Sequence, residues 1–145
     1  MTSSVFPDVN VWLAMAFAGH VHHTRAKGWF DSLGEAELIF CRFTQLGLLR
    51  LLTLPAAMGN RAMTQRQAWK IYDSFVTDGN ARLVPEPRSL DQSFRRLANL
   101  NTASPKDWAD SYLAAFAEEA RTTLVTFDRA LSQRAKRAVL LQAAI

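Results

Sequence analysis

Three aspartates stand where a short apolar run meets polar residues or a helix. Asp8 closes Ser-Val-Phe-Pro-Asp, Asp128 closes Leu-Val-Thr-Phe-Asp, and Asp110 falls in the first turns of a helical stretch running to about Ala120. Asp110 shares a face with Leu113, Ala114 and Ala117 by three-and-four spacing, so a carboxylate lies on a stripe otherwise suited to burial. A lone buried carboxylate is costly and needs a cation or hydrogen-bond donors. Three in one pocket would also repel and raise one another's pKa values. A divalent cation removes both conflicts, and hard oxygen donors without cysteine select Mg²⁺ or Mn²⁺ over Zn²⁺. Such an ion can activate water and stabilise charge on a phosphoryl group. An aspartate after a strand serves equally well as a helix cap or turn residue, and local sequence leaves both roles open.

Other residues read as structural. Ser104, Pro105 and Asp107 form a helix start of N-cap, N1 proline and N3 acid, so Asp107 is assigned to capping. His20, His22 and His23 cluster, but no second group of His or Cys accompanies them as a zinc site requires. Cys41 lies in an apolar run and reads as a small core residue. Arg95 with Arg96, and Arg134 with Lys136 and Arg137, read as solvated faces. Trp12, Trp29, Trp69 and Trp108 sit at helical spacing with other apolar residues and read as core. There is no Gly-rich phosphate loop and no Gly-x-Ser-x-Gly elbow. A receiver-type phosphoacceptor would want a second acid near the first strand and a Lys after a late one. An aspartate-nucleophile phosphatase would want Asp-x-Asp, where this chain has Asn10.

The elements that must position these acids follow from periodicity. Strands are expected at Ser4–Pro7, Leu38–Cys41, Arg82–Val84, Thr123–Thr126 and Val139–Leu141. Helices are expected over Val11–Ala18 (ended by Gly19), His22–Ser32, from a cap at Thr44, from Thr64, from a Ser89/Gln92 capping box through Leu97, from Ser104 to about Ala120, and over Ala130–Ala135. The segments around Pro55 and Pro85 read as loops. Short apolar strands alternating with helices predict an α/β fold with a parallel sheet covered on both faces. Ligands in such folds bind beyond the carboxyl ends of the strands, which is where Asp8 and Asp128 fall.

Composition bounds the partner. The 145 residues form one domain, 1–145, by length, with enough chain for a core. A net charge of +4 permits an anionic partner without naming one. One cysteine excludes an internal disulfide and suits a reducing compartment. The early apolar stretch Val11–Gly19 is too short to span a bilayer and lacks a preceding Lys or Arg, so no membrane association and a cytoplasmic location are expected.

With these residues in view, the chain resembles the PIN-domain ribonucleases, especially the VapC-like toxins of type II toxin–antitoxin pairs. Pro-Asp8-Val-Asn10-Val-Trp-Leu-Ala is similar to that family's opening. Asp110-Ser-Tyr-Leu-Ala-Ala-Phe-Ala and Leu-Val-Thr126-Phe-Asp128-Arg resemble its two late acidic motifs, and Thr44-Gln45-Leu-Gly-Leu-Leu-Arg50 its central helix. Order and spacing match over nearly the whole chain. The resemblance implies a three-layer α/β/α PIN-like fold and Mg²⁺- or Mn²⁺-dependent endonucleolytic cleavage of RNA. It implies Asp8, Asp110 and Asp128 as catalytic metal ligands, with Asn10, Gln45 and Thr126 supporting them. It further implies a small antitoxin protein as partner and a homodimer. One position departs: the family's central helix carries Glu where this chain has Gln45, which brings an amide oxygen but no charge. That departure keeps open a catalytically weakened binding module that holds RNA or an antitoxin.

Overall fold

The computed structural model describes residues 3–142. Five strands form one parallel sheet in the order β3-β2-β1-β4-β5. They are β1 (Ser4–Pro7), β2 (Glu37–Phe40), β3 (Ala81–Leu83), β4 (Thr123–Thr126) and β5 (Ala138–Leu140). β1 is central, with Val5 paired to Leu38 of β2 on one side and to Thr123 of β4 on the other. Pro7 pairs with Val125, so the chain leaving β1 emerges beside the chain leaving β4. This is the point where strand order reverses, the usual place for a ligand cleft in open α/β sheets.

Strand alternation sends side chains to two cores. Leu38, Phe40 and Val125 pack on one face with residues of α1 (Val9–Ala16), α2 (His23–Asp31), α3 (Arg42–Leu52), α4 (Pro55–Met58) and α5 (Gln65–Asp78). Phe6, Ile39 and Leu124 pack on the other with α6 (Leu90–Leu97), α7 (Lys106–Glu119) and α8 (Arg129–Arg134). The result is a three-layer α/β/α sandwich. Trp12 is fully buried and stacks on Phe40 with ring centroids 3.8 Å apart, which locks α1 to the sheet directly behind Asp8. Gly47 lets α3 approach α1 closely: a Cβ there would lie 2.6 Å from a methyl of Val9.

Several element ends differ from the sequence reading. Helix α1 begins two residues earlier, because Asp8 itself caps it, and it ends at Phe17 in extended backbone before Gly19 is reached. Cys41, not Thr44, precedes α3. Thr44 sits at the third helical position and accepts from the Cys41 N–H. Pro55 opens a short helix and not a loop, its fixed φ being suited to a first turn. Ser89 makes no cap hydrogen bond; its hydroxyl goes to Glu119, drawn there by the packing of α6 on α7. The N-cap of α7 is Pro105 and not Ser104, which places Asp107 at N2 with its carboxylate 3.9 Å from Arg134.

Candidate active site

Asp8 is buried at the C-terminal end of β1, with both of its oxygens engaged. Oδ1 accepts from the Val11 N–H at 3.1 Å, capping α1, and Oδ2 accepts from the Thr126 hydroxyl. Thr126 is itself fully buried at the end of β4, and its oxygen accepts the Asp128 N–H at 2.9 Å. One hydroxyl thus straps the first acid to the loop that carries the last. Asp128 caps α8 through Oδ1, which accepts from Ala130 and Leu131, while Oδ2 meets the Lys106 ammonium at 3.3 Å. Capping and ligation are not exclusive here. A carboxylate has about four acceptor sites, and each cap occupies only one oxygen's share.

Asp110 lies buried on the second turn of α7, one turn beyond Lys106. Burial pushes its pKa up, reinforced by the charges of Asp128 and Asp107 and opposed by Lys106 and Arg134. Burial likewise pushes Asp8 up to about 6. The Thr126 hydroxyl and the Val11 and Asn10 N–H groups work against that rise, and the Asp128 charge adds to it. At Asp128 partial burial is outweighed by the Leu131 and Ala130 N–H groups and by Lys106, and the carboxyl is held below its ordinary value. The three acids therefore feel one another's charge, with Asp128 the common neighbour.

The groove above Asp8 and Asp128 has a volume of about 380 Å³ and is walled by Asn10, His20, Val21, His22 and Phe127. His22 stacks on Phe127 with ring centroids 4.6 Å apart, which holds the α1–α2 loop against the residue before Asp128 at the side of the groove.

The PIN-domain family profile matches residues 5–137. The chain belongs to the PIN-domain family. Ribonuclease VapC41 of Mycobacterium tuberculosis is 43% identical over 131 residues, covering 87% of this chain and 90% of that protein. That similarity places this PIN domain among the VapC ribonucleases. Among solved structures, M. tuberculosis VapC20, described as a sarcin-ricin-loop-cleaving toxin, matches with a TM-score of 0.65. The match covers 89% of this chain and 93% of that one at 19% identity. VapBC2 from Rickettsia felis, solved on a DNA fragment from its promoter, matches with a TM-score of 0.62 at 10% identity. It covers 94% of this chain and 96% of that one. At these identities the two structures bear on the fold alone.

Asp8, Asp128 and Thr126 of this PIN domain are joined by direct hydrogen bonds, and Asp110 is joined to them by charge. Two supporting residues behave differently from expectation. Asn10 is exposed on the groove wall and helps Asp8 through its backbone N–H, not its side chain. Gln45 is buried, with its amide oxygen accepting from Arg42 at 2.5 Å. Among the described residues, no three His, Cys, Asp or Glu groups converge as a ready-made cage. Mg²⁺ does not need one, because it keeps several waters and commonly takes one or two protein carboxylates plus substrate phosphate. Hard oxygen donors in a desolvated, mutually repelling group fit such an ion.

The sequence reading overlooked Lys106 and discounted Arg134 and the histidines. Arg134 is not solvated: it donates to the Leu97 carbonyl and the Ser111 hydroxyl, both at 2.7 Å, pinning α8 to the end of α6 and to α7. The signal for Lys106 was present, since it lies on α7 one turn before Asp110. Its partner Asp128 is remote in sequence, and only the sheet brings the two together. Trp69 and Trp108, read as core, are 46% and 63% exposed.

Proposed function

We propose that the acidic end of this VapC-type ribonuclease hydrolyses RNA phosphodiester bonds with Mg²⁺ or Mn²⁺ held by Asp8, Asp110 and Asp128. The observation that supports this most directly is the Asp8–Thr126–Asp128 strap at adjoining strand ends, with Asp110 within electrostatic reach. Asp8 and Asp110 present buried carboxylate charge for direct ligation. Asp128, half-committed to capping and facing Lys106, is placed to hold a water or to orient the attacking one. A bound divalent ion supplies water activation and charge stabilisation on the phosphoryl group. Lys106 is mostly exposed and shares its ammonium with a single carboxylate, so an entering phosphate gains a charge-assisted partner. His20, His22 and Asn10 wall the groove where the ribose-phosphate chain would lie.

The relatives support the wider setting. VapC41 carries the name ribonuclease and VapC20 the description of a sarcin-ricin-loop-cleaving toxin. The promoter-bound VapBC2 supports pairing with a small antitoxin. In our reading its tail brings a basic group into the acidic groove, on a toxin homodimer in the cytoplasm. No helix among the described residues is long and apolar enough to cross a membrane.

The test is cleavage of total RNA by the purified chain with Mg²⁺ or Mn²⁺, and with EDTA. Discrete fragments that require metal support the proposal. Absence of cleavage from folded, antitoxin-free protein under either metal sinks it.

Gln45 is the one feature that favours the weakened binding module. Its contact with Arg42 separates the readings. A Glu at this position would be held by the Arg42 guanidinium, so Gln45→Glu is expected to change metal-dependent cleavage by less than the roughly 10–100-fold typical of supporting residues at metal sites. A gain beyond that range, measured as cleavage rate against Mg²⁺ concentration, would mean the native site is degraded.

A further inference from the structure

Trp108 is 63% exposed on the first turn of α7, two residues before Asp110. Phe94 of α6 meets the ring in a T-shaped contact, with centroids 6.3 Å apart, which steadies it while leaving most of it uncovered. The ring forms one wall of a cavity of about 340 Å³, shared with Ala98, Leu100, Thr102, Asp107 and Ser111. That volume lies within the range of small-molecule sites.

The cavity lies along the helix that carries the third acid: Asp107, Trp108 and Ser111 of α7 line it, and Asp110 stands between them in the chain. Ser111, fully buried, accepts from Arg134, which also faces the Asp107 carboxylate. The guanidinium offsets the negative charge of that wall and holds its polar side rigid. An apolar ring with an open surface, a polar rim and a neighbouring exposed ammonium match one ligand chemistry well. Nucleobases stack on aromatic rings regardless of identity, while cations track the backbone. A paired base cannot enter, because its faces and edge are already occupied within the duplex.

We infer that this cavity receives one unpaired nucleobase of the RNA substrate, stacked on Trp108, with its neighbouring phosphate drawn past Lys106 to the carboxylates. The inference rests on the ribonuclease reading for the identity of the substrate. It makes Trp108 a binding residue that acts on KM more than on kcat.

The experiment uses Asp8→Asn protein in Mg²⁺ as a non-cleaving background. It is titrated with a fluorescently labelled unstructured RNA oligonucleotide and with the fully paired duplex of the same sequence. Adding Trp108→Ala is expected to weaken single-strand binding roughly tenfold, with Trp108→Phe retaining most of the affinity. Adding Trp69→Ala, at the other well-exposed tryptophan, should leave binding unchanged. The duplex should bind more weakly and ignore Trp108. RNA should also quench tryptophan emission less in the Trp108→Phe protein.

Equal single-strand affinity with and without Trp108 overturns the inference, as does a complete absence of RNA binding by the parent. If the wild type cleaves RNA while Trp108→Ala binds normally, the cavity assignment falls and the ribonuclease reading stands. If binding depends on Trp108 but no metal yields cleavage, the cavity assignment stands and the ribonuclease reading falls.

Discussion

Asp8→Asn is expected to lower RNA cleavage by roughly a hundred- to a thousand-fold or more, the scale of removing one preorganised charge-stabilising group. The same substitution should stabilise the metal-free fold. Burial raises the Asp8 carboxyl from 3.8 to about 6, so the folded state holds this proton more tightly than the unfolded chain does. Stability from this group therefore falls as pH rises between about 4 and about 6, and the whole cost is present above that range. A rise of that size corresponds to about 3 kcal/mol, an upper figure for the relief that a neutral side chain brings. Asparagine keeps an oxygen for the Val11 N–H, so the cap survives, and its amide can turn a donor toward the Thr126 oxygen.

The expected pattern is thus inverse. In EDTA at pH 8 the variant melts higher than the wild type, and the gap closes near pH 4. Adding Mg²⁺ raises the wild-type melting temperature and leaves the variant nearly unmoved, because only the native site gains a ligand. Thermal melts at both pH values, with and without Mg²⁺, read all of this. A variant that cleaves RNA normally would remove Asp8 from the mechanism. A variant less stable at pH 8 would mean that the carboxylate is a net structural asset.

Thr126→Val carries the second large effect, through a residue that need not touch substrate. Valine matches threonine in shape but has no hydroxyl, so two buried hydrogen bonds disappear together. The Asp128 N–H loses its acceptor and the Asp8 carboxylate its side-chain donor, costing about 1–3 kcal/mol for the group left unpaired. Losing that donor also lifts the Asp8 pKa further, since the Thr126 hydroxyl is the leading influence holding it down. Cleavage should fall by roughly 10–100-fold, with a higher Mg²⁺ requirement. The acid limb of the pH–rate profile should move toward higher pH. Thr126→Ser, which restores the hydroxyl, should recover most of the activity and return the limb to its native position. A merely structural role for Thr126 would lower stability without moving the pH profile or the Mg²⁺ dependence.

Much of this architecture was legible from residue spacing. Short strand-like runs of three or four residues alternating with helical stripes are enough to require a covered parallel sheet. Asp8 and Asp128 follow strands in the sequence itself, so the local pattern alone puts them at the carboxyl ends. The Asp110 stripe already announced a carboxylate on a buried face. These readings succeed because helix and strand periodicities are local properties of the chain. Boundaries are less legible, since Ser89 and Ser104 each have a plausible capping partner three residues on and Thr44 is itself a good capping residue. Packing sent the Ser89 hydroxyl to Glu119, and Pro105 took the cap of α7 in place of Ser104.

What only the tertiary structure decided are the partners of side chains far apart along the chain. Thr126 reaches Asp8 across 118 positions because β1 and β4 are neighbours in the sheet. Lys106 neutralises Asp128, Arg134 ties Ser111 to Leu97, and Arg42 occupies Gln45 for the same kind of reason. Exposure also belongs to this class. Trp12 and Trp108 both look like core residues in a helical pattern, yet one is sealed against Phe40 and the other opens onto a cavity. The sequence by itself determined which elements form and at which sheet end the acids gather, because those depend on neighbours a few residues away. Strand order and helix packing decided what each acid touches and which aromatic rings stay open, because those depend on contacts that no local pattern records.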